Sequence, residues 1–292
     1  MTSRSENILI MGAYGRLGTE LSLFLSKTHN VLRLGRNESA QVCITDLTVS
    51  SLENVLKSYN IGIIVNLIAD TDVDRCQRDP LQAFFSNAVI PQYINSAVNE
   101  VNSEIFILQV STDQVYSGKG LHKEHQYKPC NVYGISKLAG EIAVATSGNV
   151  CVLRTNYFGF SPISNRTSYF DWLTDSITKQ KKISIFQNVF FSPLGSSKLC
   201  SIILLILTRK LTGTYNLGSN RAISKAEFAQ VLANKLRIFY PQFEYSDYSS
   251  RANVKRPLDM SMNSKRLLDK LKMDPIIVEN EISIELSNMT RK

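Results

Sequence analysis

The feature that most constrains the fold of this chain is a short apolar run near the N-terminus that ends in a glycine-rich turn. Asn7-Ile8-Leu9-Ile10-Met11 has the composition of a buried strand, and Gly12-Ala13-Tyr14-Gly15-Arg16-Leu17-Gly18 follows it directly. Leu17, Leu21 and Leu25 then recur at helical spacing, so the glycines lie between a strand and a helix. Glycine permits positive φ and close backbone approach, and a helix N-terminus presents free N–H groups to phosphate. The stretch therefore predicts a nucleotide-binding turn.

The glycine spacing, Gly-x-x-Gly-x-x-Gly, differs from the commoner Gly-x-Gly-x-x-Gly dinucleotide fingerprint. The residues after the second predicted strand, 31–34, indicate which dinucleotide is bound. An acidic residue at this point would bind the ribose hydroxyls of NAD, whereas Arg36 can accommodate the extra phosphate of NADP. The sequence therefore favours NADPH, with NADH as the alternative and a solvated Arg36 as the simpler interpretation.

Strands and helices alternate through the first half of the chain. The run 61–69 is almost unbroken in apolar character, which is typical of a central parallel strand buried on both faces. Other elements predicted from periodicity are strands at 42–45, 105–110 and 151–154, and helices at 49–59 and at 80–101, the last interrupted by Pro91. This alternation predicts an α/β fold with a Rossmann-type, doubly wound parallel sheet.

The later third of the chain changes to shorter, mixed elements. They are predicted at 183–186 (strand), 194–210 (helix) and 214–217 (strand). Ser224 and Glu227 have the spacing of a capping box, which predicts a helix that runs to about residue 236. We therefore expect a dinucleotide-binding Rossmann domain at 1–155 and a smaller, mainly substrate-binding lobe at 156–292, with some segments returning to the first domain.

A pair of residues on a predicted helix has the chemistry of an acid/base site. Tyr133 and Lys137 are four residues apart, so on a helix their Cβ atoms lie about 5–6 Å apart on one face. A phenol titrates near about pH 10, and an adjacent ammonium lowers its pKa by favouring the phenolate. Tyr133 would thereby be suited to proton transfer. The simpler interpretation is a solvated Lys137 beside a half-buried Tyr133.

Composition narrows the classes of function. Lys and Arg exceed Asp and Glu by 8 but are spread along the chain, so an anionic small molecule explains the charge and we expect no nucleic-acid partner. The five cysteines form no Cys-x-x-Cys pair, which indicates reduced thiols and no zinc site. Asp70, Asp72 and Asp74 are interpreted as a polar loop and not as a metal site. With no signal-peptide pattern and no run long enough for a bilayer, we expect a cytoplasmic protein without a membrane partner.

These pieces together resemble the extended short-chain dehydrogenase/reductases, and most closely the dTDP-4-dehydrorhamnose reductase family. The stretches that carry the resemblance, in the family's order, are Gly12-Ala13-Tyr14-Gly15-Arg16-Leu17-Gly18, Ser111-Thr112-Asp113-Gln114-Val115-Tyr116, residues 131–141, Leu153-Arg154-Thr155 and Arg256-Pro257-Leu258-Asp259-Met260-Ser261. The resemblance implies NADPH-dependent reduction of the C4 carbonyl of a nucleotide-linked 4-keto-6-deoxyhexose, in deoxysugar supply for surface polysaccharide.

The resemblance also assigns roles to residues. Tyr133 would give a proton to the developing alkoxide, Thr112 would donate a hydrogen bond to the same oxygen, and Lys137 would hold the nicotinamide ribose. The implied cofactor contacts are Gly12, Tyr14, Gly15, Arg16, Leu17, Gly18, Arg36, Asp46, Leu47, Ala69, Tyr133 and Lys137. The implied substrate contacts are Thr112, Asp113, Asn156 and Arg256, whose guanidinium can grip phosphate oxygens in pairs.

Departures from the family pattern leave the sugar open. Asn156-Tyr157 stands where the family commonly has Ser-Trp, and residues 188–194 differ from its usual Asp-x-x-Gly-x-Pro-Thr form. One alternative is an epimerase or dehydratase on the same scaffold, although dehydratases commonly have Asp-Glu where this chain has Asp113-Gln114. Another is a non-catalytic, dinucleotide-binding regulatory subunit like that of methionine adenosyltransferase. The expected partner is a nucleotide-linked keto sugar, and assembly as a homodimer is left open.

Overall fold

The first predicted strand lies inside a seven-stranded sheet. The computed structural model describes residues 6–146, 148–249 and 254–289, the last of these without its side chain. The strands are β1 (Asn7–Met11), β2 (Val31–Gly35), β3 (Val42–Cys43), β4 (Ile61–Asn66), β5 (Phe106–Thr112), β6 (Val150–Thr155), β7 (Tyr157–Phe158), β8 (Ile183–Phe186), β9 (Phe190–Phe191), β10 (Leu194–Gly195), β11 (Gly213–Leu217), β12 (Ile223–Ser224) and β13 (Phe243–Ser246).

Helices connect most of these strands. They are α1 (Arg16–Leu25), α2 (Val49–Ser58), α3 (Val73–Arg78), α4 (Pro80–Phe84), α5 (Ile90–Val101), α6 (Val132–Val144), α7 (Tyr169–Thr178), α8 (Ser196–Arg209), α9 (Lys225–Lys235), α10 (Lys265–Leu271) and α11 (Val278–Met289), with a π-helix at Phe85–Val89 and a 3-10 turn at Asp113–Val115. Of the helices in the described ranges, none combines the length and apolar character needed to cross a membrane.

The strand order of the sheet is β3-β2-β1-β4-β5-β6-β11. β1 pairs in parallel with both β2 and β4, and the order reverses direction between β1 and β4. This is the order of a doubly wound dinucleotide-binding sheet, in which ligands bind beyond the carboxyl ends of the strands at the point of reversal. The predicted Rossmann-type fold is confirmed.

Two compact units divide the described chain, and each contains three segments. The first comprises Met1–Ser111, Asn131–Leu153 and Ile202–Thr214. Its core is formed by the apolar faces of the strands and of α2 and α5, and residues 8–11 of β1 have no exposed surface. Each such side chain contributes about 1.5–3 kcal/mol by leaving water, so the continuous apolar run is what fixes β1 at the sheet's centre.

The second unit comprises Thr112–Cys130, Arg154–Ser201 and Tyr215–Lys292. It contains three two-stranded pairings: β10 with β7 and β13 with β8 in parallel, and β12 with β9 antiparallel. Its core is built around the aromatic rings of Phe158 and Phe228, whose centroids lie 5.0 Å apart. This unit has the smaller, mixed elements that the sequence predicts for the C-terminal part.

Several element boundaries differ from prediction for identifiable reasons. The strand expected at 61–69 ends at Asn66, because the Asn66 side chain accepts a hydrogen bond from the Ile68 backbone and turns the chain. Pro91 does not interrupt its helix: it lies in the first turn of α5, directly after the π-helix, where a missing N–H costs little. The helix expected at 194–210 begins at Ser196, since Leu194–Gly195 pairs with β7.

The predicted capping box at the start of α9 is only half formed. Ser224 accepts a hydrogen bond from the Glu227 backbone at 3.0 Å, as an N-cap should. The Glu227 carboxylate, however, pairs with Arg221 at 2.7 Å instead of returning to the cap. Glu227 thus serves an ion pair that local spacing could not reveal.

Candidate active site

The glycine turn after β1 depends on glycine at two positions. Gly12 has a φ of +78°, and a Cβ at this position would lie 2.9 Å from the carbonyl carbon of Leu67. A Cβ on Gly18 would collide with the carbonyl oxygen of Gly12. The loops that follow β1 and β4 therefore approach each other as closely as backbone allows.

The N-terminus of α1 is open to an anion. Gly15 is its N-cap, no side chain caps the helix, and its first turn carries no acidic residue. A helix start of this kind leaves backbone N–H groups and a positive dipole end for phosphate oxygens. The turn fits the pyrophosphate of a dinucleotide, and Arg16 and Leu17 begin this helix at half-buried and buried positions.

Beside this turn lies an arginine that sequence reasoning missed. The guanidinium carbon of Arg33 lies 4.3 Å from the ring centroid of Tyr14, and its Nη2 donates to the Ala13 carbonyl oxygen at 3.4 Å. The Tyr14 hydroxyl in turn accepts a hydrogen bond from the Gln41 backbone at 3.1 Å. Arg33 is the one cation inside an otherwise apolar strand run, which is the signal that could have identified it.

The other predicted cofactor residues have different environments. Arg36 follows β2 and is exposed, and Asp46 is exposed in the loop before α2. Leu47 is partly buried against the core of the first unit, and Ala69 is half-buried in the loop after β4. Arg36 is thus free to reach a phosphate, whereas Leu47 contributes to packing in any case.

Tyr133 and Lys137 lie in the first two turns of α6, and both are buried. Asn131 caps the helix by accepting a hydrogen bond from the Gly134 backbone at 2.8 Å. Tyr133 is 7% exposed and Lys137 is 4% exposed. The Lys137 ammonium donates to the Val110 carbonyl oxygen of β5 at 2.8 Å. The interpretation of Lys137 as a solvated surface residue is therefore wrong.

Burial and one carboxylate shift the pKa of Lys137 in opposite directions. Removal from water lowers the pKa of its ammonium to about 8, and the negative charge of Glu141 opposes that change. Glu141 is itself buried and accepts a hydrogen bond from the Ser111 hydroxyl at 2.5 Å. Sequence reasoning missed this link, because Ser111 and Glu141 are 30 residues apart in the chain.

An asparagine in the π-helix fixes the helix that carries the pair. The Asn87 side chain donates to the Ser136 hydroxyl at 3.0 Å, and Ser136 donates to the Tyr133 carbonyl oxygen at 3.0 Å. Asn87 also bonds both backbone groups of Asp70, at 2.9 and 3.0 Å. Buried polar networks of this kind hold side chains in a single arrangement when every member is satisfied.

The aspartates after β4 have structural roles. The Asp70 carboxylate pairs with Arg75 at 2.6 Å, and the hydrogen bonds from Arg75 lower the Asp70 pKa. Asp72 caps α3 by accepting from the Asp74 and Arg75 backbones. Within the described ranges, no three His, Cys, Asp or Glu side chains are grouped to hold a metal ion.

Thr112 ends β5 and belongs to the second unit. Its hydroxyl donates to Asp113 at 3.2 Å and accepts from the Gln114 backbone at 3.2 Å. Asp113 is 2% exposed and accepts a hydrogen bond from Asn156 at 2.5 Å. Burial raises the pKa of Asp113 to about 6, although the Asn156 hydrogen bond and the charge of Lys225 oppose the rise. The second unit thus brings Thr112, Asp113 and Asn156 together.

Comparison with known proteins identifies the family. The family model of the RmlD substrate binding domain matches residues 6–289. The chain belongs to the RmlD substrate-binding domain family. A solved structure described as a "hypothetical dTDP-4-dehydrorhamnose reductase" from Sulfolobus tokodaii is 30% identical and has a TM-score of 0.79, covering 93% of this chain and 97% of that chain. The family resemblance drawn from the sequence is confirmed.

Two further relatives of this RmlD-family chain are more distant in sequence. A dTDP-4-dehydrorhamnose reductase from Bacillus anthracis, solved in complex with NADP, has a TM-score of 0.85 at 21% identity and covers 99% of this chain and 100% of that chain. At that identity the likeness shows the fold alone. The "Probable low-salt glycan biosynthesis reductase Agl14" of Haloferax volcanii is 26% identical over 196 residues, which are 65% of this chain and 64% of that protein. The chain thus spans slightly less than two thirds of that relative's length.

The Arg-Pro segment and Arg154 are two further parts of the family pattern. Arg256 is exposed, and its role toward the substrate stays a prediction. Arg154 is buried, and its Nη1 donates to the Tyr116 hydroxyl at 2.7 Å and to the Glu124 carbonyl oxygen at 2.6 Å. In this RmlD-family chain, Arg154 therefore fastens the segment after β5 to β6 and serves the structure of the second unit.

Proposed function

We propose that this chain is an NADPH-dependent reductase of the C4 carbonyl of a nucleotide-linked 4-keto-6-deoxyhexose, acting in the cytoplasm in deoxysugar supply for surface polysaccharide. The observation that carries the proposal is the buried pair of Tyr133 and Lys137 on α6, with the Lys137 ammonium held on the Val110 carbonyl. A lysine gives up its hydration at a large free-energy cost, so its burial one helical turn from a buried tyrosine favours a chemical role.

The names of the relatives support the same reaction class. Solved structures described as dTDP-4-dehydrorhamnose reductase cover almost the whole chain, and one of them was in complex with NADP. The open N-terminus of α1 and the glycine turn fit a pyrophosphate, and Arg33 and Arg36 are cations in and after β2. The proposed cofactor is therefore NADPH.

The chain's own residues have separate roles in the proposed reaction. NADPH, when bound, supplies the hydride that reduces the carbonyl carbon. Tyr133 gives its phenolic proton to the sugar O4 as the oxygen becomes an alkoxide, and Lys137 keeps positive charge beside that phenol. Thr112 donates a hydrogen bond to the same oxygen once its hydroxyl turns away from Asp113.

The test of this function is a Tyr133→Phe variant. The change removes one hydroxyl and leaves the ring, so the fold and the NADPH dissociation constant should be retained. Turnover of a dTDP-linked 4-keto-6-deoxyhexose should fall by roughly 100- to 10,000-fold, the usual contribution of general acid catalysis. NADPH consumption measures the rate, and Tyr59→Phe, a change at an exposed tyrosine of the first unit, is the matched control.

A companion variant separates the two members of the pair. Lys137→Met removes the ammonium and its bond to the Val110 carbonyl, so turnover and NADPH affinity should fall together. If Tyr133→Phe reduced the keto sugar at the parent's rate, the catalytic assignment would be wrong. If the parent bound NADPH but reduced none of a panel of 4-keto sugar nucleotides, the regulatory-subunit alternative would take its place.

A further inference from the structure

The loop between α9 and β13 exposes two adjacent aromatic side chains. Phe239 is 69% exposed and Tyr240 is 87% exposed, the highest exposed fraction among the large apolar side chains that the structure describes. On either side of them, Ile238 and Phe243 are partly buried against the core of the second unit. The loop is therefore anchored at both ends, and the two rings between its anchors lie in solvent. Single exposed apolar residues are ordinary, so the surroundings of this pair decide what it means.

A basic segment lies beside this loop. β13 pairs with β8 in parallel, with Phe243 opposite Ile183, and the Ile183 N–H donates to the Gln242 carbonyl oxygen at 3.0 Å. Strands that pair in parallel begin at the same edge of their sheet. The loop that precedes β13 and residues 179–182, which precede β8 and read Lys-Gln-Lys-Lys, therefore meet at one edge of the second unit.

The charges at this edge are mostly positive. The ranges 175–182 and 234–244 contain five cations and two carboxylates, a net charge of +3. The cations, all exposed, are Lys179, Lys181, Lys182, Lys235 and Arg237, and the carboxylates are Asp175 and Glu244. Three of the lysines form ion pairs with the two carboxylates, at 2.5 to 2.9 Å. These five cations, together with Phe239 and Tyr240, are called the basic–aromatic edge below.

We propose that the basic–aromatic edge binds the surface of an anionic phospholipid membrane, with Phe239 and Tyr240 at the level of the headgroups and the cations facing lipid phosphates. Exposed aromatic rings beside Lys and Arg are typical of segments that lie on such a surface, and an anionic membrane attracts each nearby cation. Four of the five cations are lysine, which is depleted at protein–protein interfaces. A lipid surface therefore explains this composition better than an acidic protein does.

Binding of this kind needs no spanning helix. The expectation of a chain without a membrane partner rests on the lack of a long apolar run, and that reasoning applies to segments that cross the bilayer. A surface loop binds only through its exposed side chains, so its binding is reversible and weakens with salt. No residue of the basic–aromatic edge is a predicted contact of the cofactor or the sugar, so membrane binding goes beyond the proposed reduction and is independent of it.

The first experiment is flotation of the full chain with vesicles. At about 0.1 M salt the protein should float with vesicles of equal parts phosphatidylglycerol and phosphatidylcholine and should not float with phosphatidylcholine alone. Binding should fall at least about 10-fold on going to about 1 M salt, because the screening length drops from about 10 Å to about 3 Å. A parent that does not bind the anionic vesicles at about 0.1 M salt overturns the proposal, and this comparison needs no variant that folds.

The second experiment removes the aromatic rings. The Phe239→Ser, Tyr240→Ser double variant should bind the anionic vesicles at least about 10-fold more weakly, since two apolar side chains no longer leave water. Leu81→Ser is the matched control, because Leu81 is 86% exposed and lies in the first unit. Both proteins should keep the Tm of the parent. A folded double variant that binds the anionic vesicles as the parent does overturns the proposal.

The third experiment separates this edge from the charge of the whole chain. Lys181→Gln with Lys182→Gln should weaken vesicle binding by about 10- to 30-fold, since each lysine near an anionic surface contributes about 5-fold. The control is Lys57→Gln with Lys265→Gln, which removes two exposed lysines that also pair with carboxylates. Equal losses in the two double variants would assign binding to net charge and overturn the proposal. Binding of the parent to immobilised polyglutamate, weakened by the aromatic variant and without vesicle binding, would assign the edge to an acidic protein and overturn it as well.

Discussion

At the scale of single residues, the proposed mechanism needs a charged Lys137, and one carboxylate raises the pKa of its ammonium. Burial lowers the pKa of Lys137 to about 8, and Glu141 is the charged group that opposes this. Glu141 lies within the predicted helical stretch, but its contact with Ser111 is long-range. The sequence could predict the Tyr133 and Lys137 spacing because helical geometry sets it. It could not predict which carboxylate the fold buries beside the ammonium.

We predict that Glu141→Gln moves the alkaline limb of the activity profile to lower pH. Loss of the negative charge removes the interaction that raises the Lys137 pKa, so the pKa should fall further below about 8 and the ammonium should lose its proton earlier. Gln can still accept the Ser111 hydrogen bond, so the helix should stay in place. Profiles of kcat/KM from pH 6 to about pH 10 measure the shift. The control is Glu100→Gln, at an exposed position of α5. If the alkaline limb does not move in Glu141→Gln, that limb belongs to a group other than Lys137.

A second prediction at this scale concerns cofactor choice. NADPH should bind more tightly than NADH, and Arg36→Ala should weaken NADPH by about 10-fold or more with little effect on NADH, since a charge-assisted bond to phosphate is lost. Calorimetry with both cofactors gives the two dissociation constants. Arg33→Ala tests whether the cation stacked on Tyr14 contributes, and exposed Arg78→Ala is the control. Equal affinities of the parent for the two cofactors would contradict the NADP assignment.

At the scale of elements, prediction succeeded where one local rule sufficed. β1 was predictable in full because an apolar run and a glycine turn mark both of its boundaries. The ends of β4 and α8 were not, because an Asn66 side chain and the pairing of β10 with β7 decide them. The helix break predicted at Pro91 was wrong, because the π-helix before α5 leaves Pro91 in the first turn of α5. The pairing of β10 with β7 joins segments that are remote in sequence, whereas the Asn66 turn and the π-helix are local features that hydrophobic periodicity does not show.

A buried carboxylate on α11 gives a stability prediction. Glu281 on α11 is 4% exposed, and its Oε2 has no hydrogen-bond partner among the residues the structure describes. Burial raises the Glu281 pKa above its ordinary value. The folded protein therefore holds this proton more tightly than the unfolded chain, and stability falls as pH rises from about 4.5 through the raised pKa.

Glu281→Gln should remove that penalty. At pH 8 the variant should be more stable than the parent by about 1–3 kcal/mol, the cost of an unsatisfied buried group, and the advantage should shrink toward pH 4. Thermal unfolding at several pH values measures it, with exposed Asp274→Asn as the control. A variant less stable than the parent at pH 8 would mean that the carboxylate is satisfied in solution by Lys198, whose charge lowers its pKa.

For the whole molecule, the alternation of strands and helices predicted the sheet, but the path of the chain between the two units was harder to foresee. The first unit includes Ile202–Thr214 from the C-terminal part of the chain, and the second unit includes Thr112–Cys130 from the N-terminal part. Hydrophobic periodicity identifies an element and its buried face, but it does not indicate which core buries that face. The boundary at residue 155, as a division of binding roles, stays a prediction.

The interleaved path implies that the first 155 residues do not fold independently. A fragment of that length lacks β11 and the Ile202–Thr214 segment, so β6 becomes an edge strand and the surface that buries Ile203 and Ile206, both 0% exposed, is uncovered. Long unpaired edges and exposed apolar surface favour aggregation over a native state. We expect the fragment to bind the dye ANS, to show no cooperative thermal transition by circular dichroism and to have no measurable affinity for NADPH, whereas the full chain unfolds cooperatively. A fragment that unfolds reversibly and binds NADPH as the full chain does would show that the first 155 residues contain a complete cofactor domain.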